Sequence, residues 1–232
     1  MIVAVHQPNY LPWLGYFHKM AVADVFVFLD NVQFPKHSYT NRVRVLGGGK
    51  VRWLTVPVAV RLGDPINGVR PAKATWAQSH LDTLKGLYGK TVHFDEVWGW
   101  LRDLYQGLPD ADIAAINRKQ VEAIAGKIGL RCRFVAASDV DVGDRTGDDR
   151  LVALVSAIAP GATYLSGQGG DNYQDENKFR DAGLGFRRAG FRHPRYDQGG
   201  GDFVPGLSVV DAAFRVGWSG VADLVEAARA AA

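Results

Sequence analysis

The chain has 232 residues, with 27 basic and 24 acidic side chains, a formal charge of +3, 47% hydrophobic residues and a pI near 9.0. This composition supports one substantial core and excludes disorder and coiled coil; the acidic residues are mixed throughout, so the small basic surplus does not mark a nucleic-acid binder. A single cysteine, Cys132, excludes a disulfide framework and a paired-thiol motif, which favours a reducing compartment, with the cytoplasm as the expected location.

Residues 2–5 (IVAV) read as a buried strand ending at His6, with neither a secretory signal nor a membrane span at this end. After the turn QPNYLPW, Leu14, Phe17, Met20 and Ala21 recur at helical spacing, and VFVFLD (25–30) reads as a second buried strand. Strand, helix and strand in such a short stretch predict a βαβ unit and a parallel sheet. Residues 41–58 form two alternating runs around three glycines, a hairpin signal. With Gly47 to Gly49 as the loop, Leu46 faces Lys50, Val45 faces Val51 and Arg44 faces Arg52. Opposed arginines repel unless water, a carboxylate or a bound anion relieves them.

Helical periodicity returns over 76–88 and around 98–105. Asp112 as N-cap and Gly129 as C-cap frame a further helix with Ile113, Ile116, Val121, Ile124 and Ile128 on one face. CRFVAAS (132–138) predicts a strand, LVALVSAIA (151–159) a buried helix, ATYLSG (162–167) a strand opening into QGGDNY, and Asp175 to about Asp181 a short helix. Residues 186–206, rich in Gly, Arg and aromatics, read as ordered loop. Ser208 and Asp211 then open a helix ending near Gly217, and a terminal amphipathic helix starts at Val221. The expected architecture is a single α/β domain over 1–232 with a Rossmann-like, mainly parallel three-layer core. It carries the inserted hairpin and a Gly/Arg/aromatic-rich C-terminal region over about 184–232.

Ligands of parallel sheets bind beyond the carboxyl ends of the strands. His6, Asp30 and Ser166 each follow a predicted strand, so a base, a carboxylate and a hydroxyl are expected on one rim. Each residue alone is better explained as a strand-end hydrogen-bonder, and it is the three together at one edge that point to a site. Cys132 precedes its strand and is expected at the opposite edge as an inert thiol. The six histidines show no metal-ligand spacing, and no metal site is expected. His18 and His193 read as structural hydrogen-bonders. The run SGQGGDNY can present backbone N–H groups to a phosphate or carboxylate but lacks the Walker lysine and the dinucleotide fingerprint. Lys36 could bring a positive charge to the same rim.

Taken together, HQPNYLPWLGYFHKMAVAD, FLDNVQFPKHSYTNR, WLTVPV, YLSGQGGDNY, HPRYDQ and LSVVD resemble the WbqC-like family in the same order over nearly the whole chain. The resemblance implies a bacterial enzyme of surface-polysaccharide or specialised-metabolite biosynthesis. On the family pattern fall His6, Gln7, Pro8, Tyr10, Gly15, Lys19, Asp30, Gln33, Lys36, Asn41, Arg42, Ser166, Gly167, Tyr173, Tyr196, Gln198 and Asp211. The first block is also similar to HIGH-type nucleotidylyltransferases, although Tyr16 and Pro12 or Trp13 stand where their phosphate-binding histidines belong.

The leading expectation is acyl or aminoacyl transfer from a thioester donor, on a carrier protein or coenzyme A, to an amine or hydroxyl of a sugar or other small molecule. His6 deprotonates the acceptor, Asp30 orients its imidazole, and Lys36, Asn41 or Arg42 holds an anionic part of the donor such as a phosphopantetheine phosphate. No covalently bound cofactor is expected. The substrate-binding set is Gln7, Asn9, Tyr10, Asn41, Arg42, Ser166, Gly167, Tyr173, His193, Tyr196 and Gln198. Two alternatives stay open. One is nucleotidyl or phosphoryl transfer with phosphates on the Arg44 and Arg52 face and the SGQGG turn. The other is a non-catalytic glycan or carrier-protein binder with Trp13, Trp53 and Tyr173 as a stacking platform.

Overall fold

The computed structural model describes residues 1–167 and 174–231. Their strands are β1 (Ile2–His6), β2 (Val25–Phe28), β3 (Arg42–Gly47), β4 (Lys50–Thr55), β5 (Arg133–Ala136), β6 (Thr163–Ser166) and β7 (Gly185–Arg188). The helices are α1 (Leu14–Val22), α2 (Trp76–Tyr88), α3 (Phe94–Gln106), α4 (Ile113–Lys127), α5 (Gly147–Ile158), α6 (Glu176–Asp181) and α7 (Val209–Ala230).

Five strands form one parallel sheet in the order β5-β2-β1-β6-β7. β1 is central. On one face Ala4, Phe26, Phe28 and Leu165 pack with Phe17, Met20, Val121, Ile124 and Phe214, from α1, α4 and α7. On the other, Val3, Val5, Val25, Val27 and Tyr164 pack with Leu154 and Val155 of α5 and Phe179 of α6. Burial on both faces is why β1 and β2 read as unbroken apolar runs instead of alternating ones. Because the chain leaves β1 toward β2 on one side and later returns to β6 on the other, the strand order reverses between β1 and β6. A crevice at the carboxyl ends is expected there.

The hairpin differs from expectation by one residue. Gly48 and Gly49 alone make the turn, both at positive φ (58° and 71°), a two-residue geometry that matches the twist of the flanking strands. Leu46 therefore pairs with Val51, Val45 with Arg52 and Arg44 with Trp53. That shift puts Arg44 and Arg52 on opposite faces, so the repelling arginine pair does not exist. Arg44 instead donates to Pro205 O at 2.7 Å.

β7 lies inside the stretch expected to be loop. It is an edge strand with both arginines exposed, a way of protecting an edge that removes the apolar pattern by which strands are recognised. α5 starts four residues before the predicted Leu151, since its first turn (Gly147, Asp148, Asp149, Arg150) is polar. Only Leu154 and Val155 of that helix are fully buried. The two predicted C-terminal helices run on as α7 through a break at Gly217, where φ is 73°.

Candidate functional site

A cleft of about 450 Å³ opens at the carboxyl ends of β1 and β6, where the strand order reverses. Its lining combines Val5, His6 and Gln7 from β1 and the turn after it, Lys19 from α1, Leu29 and Val32 after β2, the first turns of α5 and, from β6 onward, Tyr164, Ser166, Gly167 and Gln174.

His6 is half-buried at the end of β1. Its Nδ1 lies 3.0 Å from Gln7 O; a carbonyl only accepts, so Nδ1 carries the proton and Nε2 keeps its lone pair. Tyr16 packs edge-on against the imidazole at 4.7 Å and donates to the same carbonyl at 2.9 Å. Trp13 lies edge-on at 6.0 Å. Burial first, and the charge of Lys19 second, lower the His6 pKa to about 3, against the raising effect of the Gln7 bond. The ring is neutral at physiological pH.

Lys19 is buried, and its Nζ donates to Val5 O at 2.8 Å. Desolvation lowers its pKa to about 7. Ser166 is also buried; its hydroxyl bonds Gln174 Oε1, and Gln174 Nε2 donates to Tyr164 OH at 3.0 Å. The hydroxyl is thereby held as part of the wall. Arg150 reaches Arg145 O at 2.6 Å and Asn31 O and Oδ1, each at 3.2 Å.

The other sequence-derived candidates distribute differently. Gln7 and Gly167 line the cleft. Asp30 does not orient His6: its carboxylate accepts from Ser138 N at 2.9 Å and Ser138 Oγ at 2.7 Å, which ties β2 to the turn after β5. Lys36 is exposed and outside the cleft lining. Asn41 donates to Val56 O at 2.9 Å at the base of the hairpin. Arg42 stacks on Trp53, 4.2 Å from the ring centre, and donates to His37 O.

Tyr10 is a core residue whose hydroxyl bonds Tyr105 and, at 2.7 Å, His80 Nδ1. Asn9 is buried in the same turn. His193 is exposed against Phe191, with ring centres 4.7 Å apart. Tyr196 donates to Asp211 Oδ1 at 2.7 Å, and Gln198 closes the glycine loop by bonding Val204 N and O at 2.8 and 2.9 Å. Tyr173 lies outside the described residues, as does the QGGDN part of the turn. Cys132 is a free thiol before β5, at the edge opposite the cleft, and burial pushes its pKa up to about 11.

Gln174, Arg150 and the start of α5 were not among the sequence-derived candidates, and Lys19 fell on the family pattern without being given a place in the site. A signal for Lys19 was present: it is the charged residue within the apolar helix LGYFHKMAV, between two buried strands. No group of three or more His, Cys, Asp or Glu among the described residues could hold a metal ion. No described helix is long and apolar enough to cross a membrane.

The model of the WbqC-like protein family matches residues 7–223. The chain belongs to this family. A similar protein, the uncharacterized protein Rv1507c of Mycobacterium tuberculosis (strain ATCC 25618 / H37Rv), is 31% identical over 220 residues, which are 93% of this chain and 94% of the relative. No solved structure matches the chain. The WbqC-like blocks thus divide by job. His6, Gln7, Lys19, Ser166 and Gly167 meet at the cleft, whereas Tyr10, Tyr196, Gln198 and Asp211 hold the surrounding chain together.

Proposed function

We propose that this WbqC-like protein is a group-transfer enzyme that acylates an amine or hydroxyl of a sugar or other small metabolite from a thioester donor. His6 at the cleft is the proton acceptor. The observation that carries this reading is the tautomer fixed by Gln7 O, which leaves the Nε2 lone pair unprotonated beside the cleft. As the acceptor nitrogen or oxygen attacks the thioester carbonyl, its proton passes to Nε2, the C–S bond breaks, and the proton goes on to the departing thiolate. Gln7 O replaces Asp30 as the group that orients the ring.

A direct transfer, without acyl-enzyme, is favoured because Cys132 is at the far edge and Ser166 is held by Gln174. The strand order is that of a doubly wound sheet, which supports the Rossmann-like reading of the core. The alternative that places phosphates on an Arg44 and Arg52 face loses its motive with the corrected register.

The test is thiol release from coenzyme A and pantetheine thioesters in the presence of amino sugars and hydroxyl acceptors. Wild-type turnover falling by about a hundredfold or more in His6→Asn, with the fold intact, is the expected result. Equal turnover in the variant, or no turnover by wild type with any donor, overturns the reading. Unchanged biological function in His6→Ala would favour the non-catalytic binder.

A further inference from the structure

A cation removed from water needs a compensating charge, and Lys19 has none among the described residues. It is 4% exposed, yet it lines the cleft. Its bond to Val5 O leaves two of its three N–H donors without a partner among the described residues. The Cβ that Gly167 lacks would stand 3.7 Å from Nζ, so the ammonium lies close beside a residue without a side chain.

Arg150, in the same lining, meets only neutral acceptors among the described residues, the carbonyls of Arg145 and Asn31 and the Asn31 side chain. A third source of positive potential is the start of α5. Thr146 occupies the N-cap without making a side-chain cap bond, and Gly147 and Asp148 of the first turn border the cleft. The N–H groups of such a turn are donors awaiting an acceptor. Two carboxylates of that turn oppose these groups: Asp148 lines the cleft and accepts from Asp175 N at 2.8 Å, and Asp149, outside the cleft lining, is paired with Lys178 at 2.7 Å.

We propose that the cleft contains a phosphate subsite, with Lys19 and the uncapped first turn of α5 as its donors and Arg150 beside them. It would take the phosphate of a phosphopantetheine-type donor or of a phosphorylated metabolite. The proposal rests on the cleft assigned above and names the chemistry of its ligand, moving the anion from the expected Lys36, Asn41 and Arg42 to Lys19. It also bears on His6. The Lys19 charge is one cause of the low basicity of His6, so a phosphate over Lys19 makes Nε2 a stronger base when the ligand is in place.

The experiment is calorimetric titration with 4′-phosphopantetheine against pantetheine, and with glucose 1-phosphate against glucose. Wild type is expected to prefer one phosphorylated member at least about tenfold, as charge-assisted hydrogen bonds require. Preference in the first pair indicates a carrier-type donor, and in the second a free sugar phosphate. Lys19→Met should remove the preference. Thr146→Asp should weaken it about tenfold, because its carboxylate occupies the same amides at an exposed position where aspartate is a good cap. Equal or absent binding of phosphorylated and plain partners by wild type overturns the proposal, as does a preference that survives both variants. A phosphate preference without thioester turnover keeps the subsite and removes acyl transfer; turnover without the preference does the reverse.

Discussion

Replacing Tyr196 by phenylalanine should cost stability and leave ligand binding at the cleft intact. The Tyr196 hydroxyl donates to Asp211 Oδ1 at 2.7 Å, and Tyr88, itself bonded by Leu46 N at 3.1 Å, donates to Oδ2 at 2.6 Å. Asp211 is fully buried; burial pushes its pKa up and the two phenols pull it down. Through this carboxylate, β3, α2, α7 and the loop before α7 are joined. A hydrogen bond to a charged acceptor contributes about 1.5–3 kcal/mol. A loss of about 2 kcal/mol from a chain of 232 residues lowers Tm by roughly 4 °C. Removing both phenols leaves a buried carboxylate without either donor, so the Tyr88→Phe, Tyr196→Phe double variant should lose more than the sum of the singles. Denaturation of the three variants, alongside titration with 4′-phosphopantetheine, reads both quantities. An unchanged Tm with weakened binding in Tyr196→Phe would refute this account and return Tyr196 to the substrate-binding set.

Three further outcomes follow from the same geometry. The folded-state pKa of Lys19, about 7, lies below its ordinary 10.5. Between these values the unfolded chain holds a proton that the folded one has lost, and folding gains stability as pH rises. Wild type should therefore gain on Lys19→Met by up to about 1.4 kcal/mol per pH unit across that window in denaturant titrations, and a flat difference would contradict the buried ammonium. Gly15→Ala places a Cβ 2.7 Å from Trp13 Nε1 and 2.8 Å from the Phe191 ring, and should destabilise by about 1–3 kcal/mol; an unchanged melting curve would mean that these rings yield freely. Lys36→Ala, at an exposed position, should change stability by no more than about 0.5 kcal/mol and leave ligand affinity unchanged. A tenfold loss of affinity would restore Lys36 to the donor site.

Much of the fold was legible because the elements that bury apolar side chains announce themselves. β1, β2 and α1 read from their apolar runs, and α4 from its face and its two caps: Asp112 accepts from Ala115 N at 2.9 Å and Gly129 has φ of 75°. β7 was hidden by its exposed arginines, and the hairpin register turned on which of three adjacent glycines took positive φ. The site was legible only as a place. Strand ends indicated where His6 and Ser166 lie, but not which groups the side chains at those ends would bond. Asp30 found Ser138, across a sheet neighbour, and His6 found the carbonyl of the next residue. Lys19 was obscured because a lysine in a short helix ordinarily reaches solvent, whereas here its Nζ ends buried against Val5 O near the carboxyl end of central β1. Tyr196 and Gln198 sit in a motif, HPRYDQ, whose residues serve loop closure; residue type alone gave no means of separating that from ligand binding.

The claim on which the rest depends is that His6 is a neutral imidazole with its proton on Nδ1 and a free Nε2 lone pair whose low basicity ligand binding raises. Nitrogen-15 NMR of the histidine ring, followed against pH with and without 4′-phosphopantetheine, measures this directly. The account predicts an Nδ1–H tautomer that stays unprotonated down to well below pH 5 in the free protein, consistent with a pKa near 3, and a titration moved upward in the complex. An imidazole that titrates near its ordinary 6.5, carries its proton on Nε2, or is indifferent to the ligand would contradict it.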